Sequence, residues 1–273
     1  MELESSSWQQ RNPGAAPQDS SLSMPLRYSV LGVPVSAVSL DIARSMLEEW
    51  ADDRVARIVT VPDTSNIVRS QDDHRLLAIH QRADMVVPDG TPLVWIGKAR
   101  GMTVSRTCGP DLMDHVLASS AITGLKHYFY GGKPGVAERL KAEFERRYPG
   151  VRIVGAGTPP FRPLSDEELR LAADEIVASG ADVVWIGIST PKQEFLMADL
   201  EPMMSATMLG VGAAFDFHTG EVRRAPRWMQ KVGFEWVYRL MKEPRRLWKR
   251  YLLMAPRFLL AIIKEAFVGQ RYR

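Results

Sequence analysis

The sequence predicts an α/β fold in which a parallel β-sheet is covered by helices on both faces. Short apolar, β-branched runs alternate along the chain with longer helix-like segments. The predicted strands are Ser29–Val33, Arg57–Val61, Met85–Val87, His127–Tyr130, Val151–Val154, Val183–Ile188 and Thr207–Val211. The predicted helices are Leu40–Trp50, Ser65–Gln81, Gly109–Ala118, Gly135–Tyr148 and Asp166–Ser179. Continuous apolar strands separated by amphipathic helices are typical of a sheet that is buried on both faces.

Three regions of the chain differ in composition. Residues 1–24 are polar and rich in Ser, Gln and Pro, which predicts a disordered leader. Residues 25–220 carry the alternation of strands and helices and form the predicted core. Residues 221–273 form a predicted basic helical appendage, with fourteen basic and three acidic residues from Arg223 onwards. A basic tail on an otherwise acidic body predicts an anionic partner, which can be phosphate, nucleic acid or anionic lipid.

The appendage contains one apolar stretch, Tyr251–Val268, which Pro256 and charged residues interrupt. Its apolar side chains share one predicted helix face: Leu252, Leu253, Phe258, Leu259, Ile262, Ile263 and Phe267. Such a helix can lie in an anionic membrane interface, and it can instead cover the body of the protein or a second subunit. No uncharged apolar run of roughly 20 residues occurs, so a spanning helix is not expected.

Several classes of protein are disfavoured by the residues that are missing. Cys108 is the one cysteine and the five histidines are scattered, so neither a disulfide framework nor a classical zinc site is expected, and no metal ligands are assigned. A Walker A motif and a GxGxxG after the first strand are both absent, which disfavours a dinucleotide site. Because no RNA-binding signature is present either, a nucleic-acid partner is not expected.

Polar or glycine-rich turns follow four of the predicted strands. They contain Pro88-Asp89-Gly90, Gly131-Gly132-Lys133-Pro134, Gly187-Ile188-Ser189-Thr190-Pro191-Lys192-Gln193-Glu194 and Gly210-Val211-Gly212 with Asp216 beyond it. Ligands of open α/β sheets bind beyond the carboxyl ends of the strands, where helix N-termini offer free N–H groups to phosphate. Four such turns in one chain therefore favour a nucleotide or another phosphorylated ligand.

Individual residues in these turns suggest chemistry, each with a structural alternative. Asp89 is either part of a tight turn or a partly buried carboxylate suited to general-base work. The polar run Thr60, Asp63, Thr64 and Ser65 either caps the next helix or faces the same cleft. Gln193 offers a donor and an acceptor suited to a base edge or a sugar hydroxyl. In the appendage, Arg239 and Arg246 fall near one helix face, where guanidinium groups can hold phosphate.

Taken in order, these motifs resemble the WecG/TagA/CpsF family of bacterial glycosyltransferases. The resemblance runs from Leu31-Gly32-Val33-Pro34 to about Arg250. The remaining markers are Ala83-Asp84, Pro88-Asp89-Gly90, Gly109-Pro110-Asp111-Leu112, Gly131-Gly132-Lys133-Pro134, Pro191-Lys192-Gln193-Glu194, Gly210-Val211-Gly212, Phe215-Asp216, Thr219-Gly220, Arg224-Ala225-Pro226, Glu235-Trp236-Val237-Tyr238-Arg239-Leu240 and Glu243-Pro244-Arg245-Arg246.

The resemblance implies a Rossmann-like core and a C-terminal appendage that completes the active site and touches the bilayer. It implies transfer of a hexose, such as N-acetylmannosamine or glucose, from a UDP-sugar to a polyprenyl-diphosphate-linked acceptor at the cytoplasmic face of the bacterial inner membrane. No cofactor is expected beyond the UDP-sugar donor, and no divalent metal. Asp89 takes the position of the proposed general base, and Arg239 and Arg246 those of the arginines that hold the UDP diphosphate. The predicted substrate-binding residues are Asp63, Gly90, Gly109, Asp111, Gly131, Gly132, Lys133, Gly187, Pro191, Lys192, Gln193, Glu194, Gly212, Asp216, Arg239 and Arg246.

The chain departs from the family pattern in one loop. The family has Thr-x-Asn-x-Glu/Asp after the second apolar strand, and its threonine is a proposed active-site residue. Counting back from Asp89 without a gap places Val61 at the threonine position. Either Thr60 or Thr64 supplies the hydroxyl, or this chain does without it.

Two other functions remain open from the sequence. A nucleotide-binding oxidoreductase would share the α/β core, and a non-catalytic scaffold would dock on anionic membrane through the tail. Binding of NAD would favour the first, and vesicle binding without turnover the second. Self-association is also plausible, since an apolar tail face needs a cover where no membrane is present.

Overall fold

The computed structural model describes residues 24–226, 228–229, 234–248 and 252–270, without the side chains of Arg246 and of residues 266–270. The predicted leader, apart from Met24, lies outside the described residues. Among these residues, the alternation of strands and helices ends at His218, and three further α-helices follow after residue 234.

The core is a six-stranded sheet in the order β4-β3-β8-β7-β5-β6. Its strands are β3 (Arg57–Thr60), β4 (Met85–Val86), β5 (Lys126–Gly131), β6 (Arg152–Gly157), β7 (Val183–Gly187) and β8 (Thr207–Gly210). Every neighbouring pair in this sheet is parallel, as the apolar runs predict. The predicted α/β class with a Rossmann-like parallel core is therefore confirmed.

Twelve α-helices are described around and after the sheet, with one short 3-10 helix at Glu201–Met203. They are α1 (Leu40–Trp50), α2 (Thr64–Ser70), α3 (His74–Arg82), α4 (Thr91–Ala99), α5 (Gly109–Thr123), α6 (Val136–Arg147), α7 (Asp166–Ala178), α8 (Lys192–Leu200), α9 (Ala214–His218), α10 (Glu235–Lys242), α11 (Pro244–Trp248) and α12 (Met254–Gln270). Side chains that accept a hydrogen bond from the first turn begin several of them. Ser165 and Glu168 form a reciprocal capping box at α7, for example.

Two parts of the fold differ from the sequence prediction. The predicted strand Ser29–Val33 is an antiparallel hairpin of β1 (Arg27–Val30) and β2 (Val33–Ser36), because Leu31 and Gly32 turn the chain with positive φ angles of 50° and 78°. The single helix predicted over residues 65–81 is two helices, because the Asp73 side chain accepts from the Leu76 amide and starts α3 anew.

The sheet is covered on both faces by separate hydrophobic clusters. On β7, Val183 and Trp185 belong to one cluster, while Val184 and Ile186 belong to the other. This alternation follows from the two-residue period of a strand. The two clusters account for apolar strands without a polar face.

Helix α12 lies against the core beside α2. Phe258 is only 7% exposed and joins the cluster that contains the hairpin, and Arg257 forms a bidentate ion pair with Asp72 at 2.6 Å for both contacts. Other apolar side chains of the appendage stay exposed: Leu252, Leu253, Leu259, Leu260 and Ile263. Part of the predicted apolar face is thus covered by the body, and part faces outward. Among the described residues, no helix is long and apolar enough to cross a bilayer.

Candidate active site

The loops that follow the sheet strands form the candidate site. Because all six strands are parallel, their carboxyl ends lie at one edge of the sheet, which we call the carboxyl edge. The loop after β4 contains Asp89 and Gly90, and the loop after β3 contains Asp63. Gly212 and Asp216 follow β8, residues 191–194 follow β7, and residues 132–133 follow β5. The sheet order makes the loops of β4, β3, β8 and β7 consecutive neighbours.

The two threonine candidates occupy different environments. Thr60 is fully buried, and its hydroxyl lies 3.1 Å from Nδ1 of His80. Thr64 is half-buried at the start of α2, and its Cγ2 lies 3.8 Å from where a Cβ on Gly90 would stand. Val61, which aligns with the family threonine, is buried in the hydrophobic core. Of the two threonines, Thr64 is therefore the one whose side chain adjoins the Asp89 loop, through its methyl group.

A cluster of ionic side chains joins the appendage to the Asp89 loop. Arg106 donates through Nε to the backbone oxygen of Asp89 at 3.1 Å and through Nη2 to Glu235 Oε2 at 2.8 Å. The other Glu235 oxygen lies 3.3 Å from Nε of Arg224, which also pairs with Asp111. We call Arg106, Asp111, Arg224 and Glu235 the Glu235 cluster.

Asp111 is held as an anion inside this cluster. Burial would raise the pKa of its carboxyl, but hydrogen bonds from Arg224 and from the Cys108 thiol lower that pKa below the usual value. Burial in turn raises the pKa of the Cys108 thiol, which therefore stays protonated and donates to Asp111 Oδ2 at 2.8 Å. In this structure, the predicted substrate-binding residue Asp111 is engaged by protein groups.

Arg106 was not found by sequence reasoning. It stands between α4 and α5, in a segment without regular structure, so no periodicity or spacing singles it out. Its partner Glu235 is 129 residues away in the chain. Only the fold brings the two together.

Arg239 reaches the carboxyl edge from α10, one helical turn after Glu235. Its guanidinium carbon lies 5.4 Å from the ring centroid of Phe217, which directly follows Asp216 in α9. Arg224 approaches the same ring at 5.9 Å. Arg239 thus lies against α9, the helix that also carries Asp216. Arg246 belongs to α11, and its side chain lies outside the described residues. The prediction that Arg239 and Arg246 share one helix face is wrong, because the non-helical Glu243 separates α10 from α11.

Three predicted ligand-contacting glycines are required by packing within the protein. A Cβ on Gly187 would stand 2.5 Å from Phe215, and one on Gly131 would stand 2.7 Å from the Gly187 backbone. One on Gly132 would stand 2.7 Å from Val136. Glycine is needed at positions 131 and 187 because β5, β7 and α9 approach closely, and at position 132 because φ is 76° and α6 begins beside it. A Cβ on Gly109 would likewise stand 3.1 Å from the Val211 oxygen, whereas one on Gly212, with φ at 57°, would have its nearest neighbours at 3.8 Å.

The segment after β7 contains both exposed and buried side chains. Lys192 is exposed, with Nζ 4.8 Å from the ring centroid of Phe161, and Lys133 is also exposed. Gln193 and Glu194 are buried, and Oε1 of Gln193 accepts from the Gly212 amide at 3.0 Å. Gln193 therefore supports the Gly212 loop in this structure. Among the residues that the structure describes, no group of three or more His, Cys, Asp or Glu side chains could hold a metal ion.

Comparison with known families agrees with the order of motifs along the chain. The sequence model of the glycosyl transferase WecG/TagA/CpsF family matches residues 28–272, which is nearly the whole chain. This family consists of glycosyl transferases, so the match favours a transferase over the oxidoreductase alternative. The chain therefore belongs to the WecG/TagA/CpsF family of glycosyl transferases.

Proposed function

We propose that this glycosyl transferase moves a hexose from a UDP-sugar to a polyprenyl-diphosphate-linked acceptor in cell-surface polysaccharide assembly. The observation that carries the proposal is the Glu235 cluster, which attaches α10 to the Asp89 loop. The attachment brings a carboxylate and a guanidinium to one edge of the sheet, next to glycine turns. A hydroxyl acceptor and a diphosphate leaving group require these two kinds of group.

In the proposed mechanism, the carboxylate of Asp89 accepts the proton of the acceptor hydroxyl. The hydroxyl oxygen forms a bond to the anomeric carbon, while the bond from that carbon to the β-phosphate oxygen of UDP breaks. Attack opposite the leaving group inverts the anomeric centre. Arg239 and Arg246 stabilise the negative charge that develops on the β-phosphate, a role that a metal ion fills in other enzymes. We therefore propose a metal-independent reaction.

Thr64 takes the place of the family threonine in this proposal. Its half-buried side chain adjoins Gly90, whereas the hydroxyl of Thr60 is buried against His80. Thr64 would bind a donor or acceptor hydroxyl beside Asp89. Asp63 contributes differently, since its side chain accepts from the Asn66 amide at 2.9 Å and begins α2.

The appendage would hold the enzyme at the cytoplasmic face of the inner membrane. Leu252, Leu253 and Leu259 are exposed, and the chain around them is basic. Exposed leucines next to Lys and Arg fit a peripheral helix on anionic lipid. Such a location places the site next to a lipid-linked acceptor.

The test is UDP release by the full-length protein, with a polyprenyl-diphosphate-linked sugar as acceptor and a panel of UDP-hexoses. The proposal predicts acceptor-dependent release from one donor, at the same rate with and without EDTA. Release that stops with EDTA would refute the metal-independent mechanism. If no donor is turned over and calorimetry finds no UDP binding to the folded protein, the proposed donor class is wrong.

A further inference from the structure

A chain of buried polar side chains runs beneath the carboxyl edge. The Thr60 hydroxyl lies 3.1 Å from Nδ1 of His80, whose Nε2 lies 3.5 Å from Oδ1 of Asn66. The Asn66 amide then donates to Oε1 of Glu194 at 2.8 Å. All four residues are almost completely buried. If His80 is neutral with its proton on Nε2, it accepts from Thr60 and donates to Asn66, so every donor lies on the Thr60 side of its acceptor. Burial lowers the pKa of His80 to about 4, which keeps the ring neutral near pH 7.

Glu194 connects this chain to the other loops of the site. Its Oε1 also receives the Thr190 hydroxyl at 3.3 Å and the Gln193 amide at 3.5 Å. The Gln193 oxygen accepts in turn from the Gly212 amide at 3.0 Å. One carboxyl group therefore links the loops after β3, β7 and β8, which carry several of the predicted substrate-binding residues.

The two carboxyl oxygens of Glu194 differ in their hydrogen bonding. All the side-chain donors reach Oε1, whereas Oε2 is buried and has no hydrogen-bond partner. An ionised carboxylate would place part of its charge on this oxygen without any donor, which is far less favourable than burying a neutral hydroxyl. Burial of the unpartnered Oε2 therefore favours the neutral acid, whereas the donors to Oε1 favour the anion. Burial also raises the pKa of Glu194 to about 7.

We propose that Glu194 is a positioning residue whose neutral carboxyl group holds the loops after β3 and β8 in the arrangement that binds the donor. The link to the β3 loop goes through Asn66, whose backbone amide binds the Asp63 side chain. The link to the β8 loop goes through Gln193 and Gly212. The inference rests on the proposed function only in assigning these loops to the donor. Ionisation leaves charge on the buried, unpartnered Oε2, and this makes the arrangement that holds both loops less stable.

The other ionisable groups on the surrounding elements do not explain a pH-dependent loosening of these loops. On α2, Asp63 caps the helix. On α3, His80 is neutral near pH 7, and Arg75 is held in a surface ion pair with Asp199 of α8. Lys192 at the start of α8 is exposed and lies over Phe161. None of these groups has a hydrogen bond to Glu194 among those described.

The experiment compares the full-length protein with Glu194→Gln, which keeps the shape of the side chain but cannot ionise. Asp199→Asn, on the surface of the same helix, is the matched control. Amide hydrogen exchange of residues 61–66 and 211–216 is followed from pH 5.5 to 9, as protection relative to the unfolded chain. We expect protection of both loops to fall together as pH rises through about 7 in the wild type and in Asp199→Asn, and to stay constant in Glu194→Gln.

Binding of UDP is the second measurement. Glu194→Gln should bind UDP within about threefold of wild type at pH 6, whereas Glu194→Ala should bind about tenfold more weakly, a factor that corresponds to about 1.4 kcal/mol. Above pH 8, Glu194→Gln should bind more tightly than the wild type. Should Glu194→Gln not fold, Thr190→Val removes one donor to Oε1 and should move the wild-type midpoint to higher pH.

Three results would overturn the inference: a pH-dependent loss of protection that persists in Glu194→Gln, no such loss in the wild type, or equal UDP affinities of the wild type and Glu194→Gln above pH 8. The exchange measurement needs no ligand. If the wild type does not bind UDP at any pH, the proposed donor class fails, and hydrogen exchange still decides the role of Glu194 in holding the loops.

Discussion

Replacing Glu235 with Gln tests whether the Glu235 cluster attaches α10 to the carboxyl edge. The carboxylate is the one group of α10 shown to pair with both Arg106 and Arg224, and its side chain is only 12% exposed. Gln keeps the shape, but it removes the charge and turns an N–H₂ group towards a guanidinium that can only donate. Two partly buried cations then lose their shared anion.

The size of the effect follows from burial. Removing one partner of a fully buried ion pair destabilises by about 3–5 kcal/mol, and an exposed pair contributes less than about 1 kcal/mol. The two arginine side chains are 27% and 21% exposed, and Arg224 keeps its pair with Asp111, so the pair lies between these limits. We expect Glu235→Gln to make the free energy of docking of α10 less favourable by about 2 kcal/mol. This change corresponds to a roughly thirtyfold loss in the ratio of docked to undocked protein.

Amide hydrogen exchange of residues 237–242 measures docking directly. Exchange should be about thirtyfold faster in Glu235→Gln, while the amides of β5 and β7 remain protected. The control is Glu221→Gln, which removes an exposed ion pair with Arg139 and should leave the exchange of α10 unchanged. Unchanged exchange of α10 in a folded Glu235→Gln protein would refute the role of the cluster.

The remaining predictions concern the proposed chemistry and the buried network. Asp89→Asn should lower kcat by about 10²–10⁴-fold and leave the UDP dissociation constant unchanged, which initial rates and calorimetry together check. Thr64→Val should lower kcat/KM, whereas Thr60→Val should chiefly lower stability, by about 1–3 kcal/mol in denaturant titrations, because it leaves a buried imidazole nitrogen unpaired. Arg239→Met should weaken UDP binding about tenfold and leave uridine binding unchanged, because a charge-assisted bond to phosphate is lost. Finally, Glu194 has its pKa raised from 4.5 to about 7, so the folded state binds more protons than the unfolded state in that window, and stability falls as pH rises through it. About 3 kcal/mol should be lost, and Glu194→Gln should lack this dependence in pH-resolved denaturant titrations.

The order of apolar runs was sufficient to predict the sheet and its carboxyl edge. Buried parallel strands have no polar face, so Arg57–Thr60 and Val183–Gly187 read as continuous apolar runs. Polar residues directly after such runs, such as Asp89 and Asp63, then fall at one edge. Two local features could be identified only from the structure. The turn at Leu31 and the start of a second helix at Asp73 interrupt patterns that look continuous in the sequence.

The electrostatic environment of the site could not be predicted in the same way. Whether a polar side chain near a strand end points outward or inward depends on packing, which spacing does not encode. Gln193 and Lys192 are adjacent in the chain, yet one is buried and the other exposed. Arg106 and Glu235 carry no local pattern at all, because their pairing depends on the position of α10 in the folded chain.

The carboxyl edge therefore lies between two electrostatic environments that respond to different perturbations. Above the sheet, the Glu235 cluster is ionic and partly exposed, so salt should weaken it, since the Debye length falls to about 3 Å at 1 M. Below the edge, the network around Glu194 is buried, so salt should leave it unchanged, whereas raising the pH through about 7 should weaken it. Salt that exposes α10 without loosening residues 61–66 would separate docking of the appendage from support of the loops after β3 and β8. Simultaneous exposure of both segments by salt would mean instead that the appendage, and not Glu194, orders these loops.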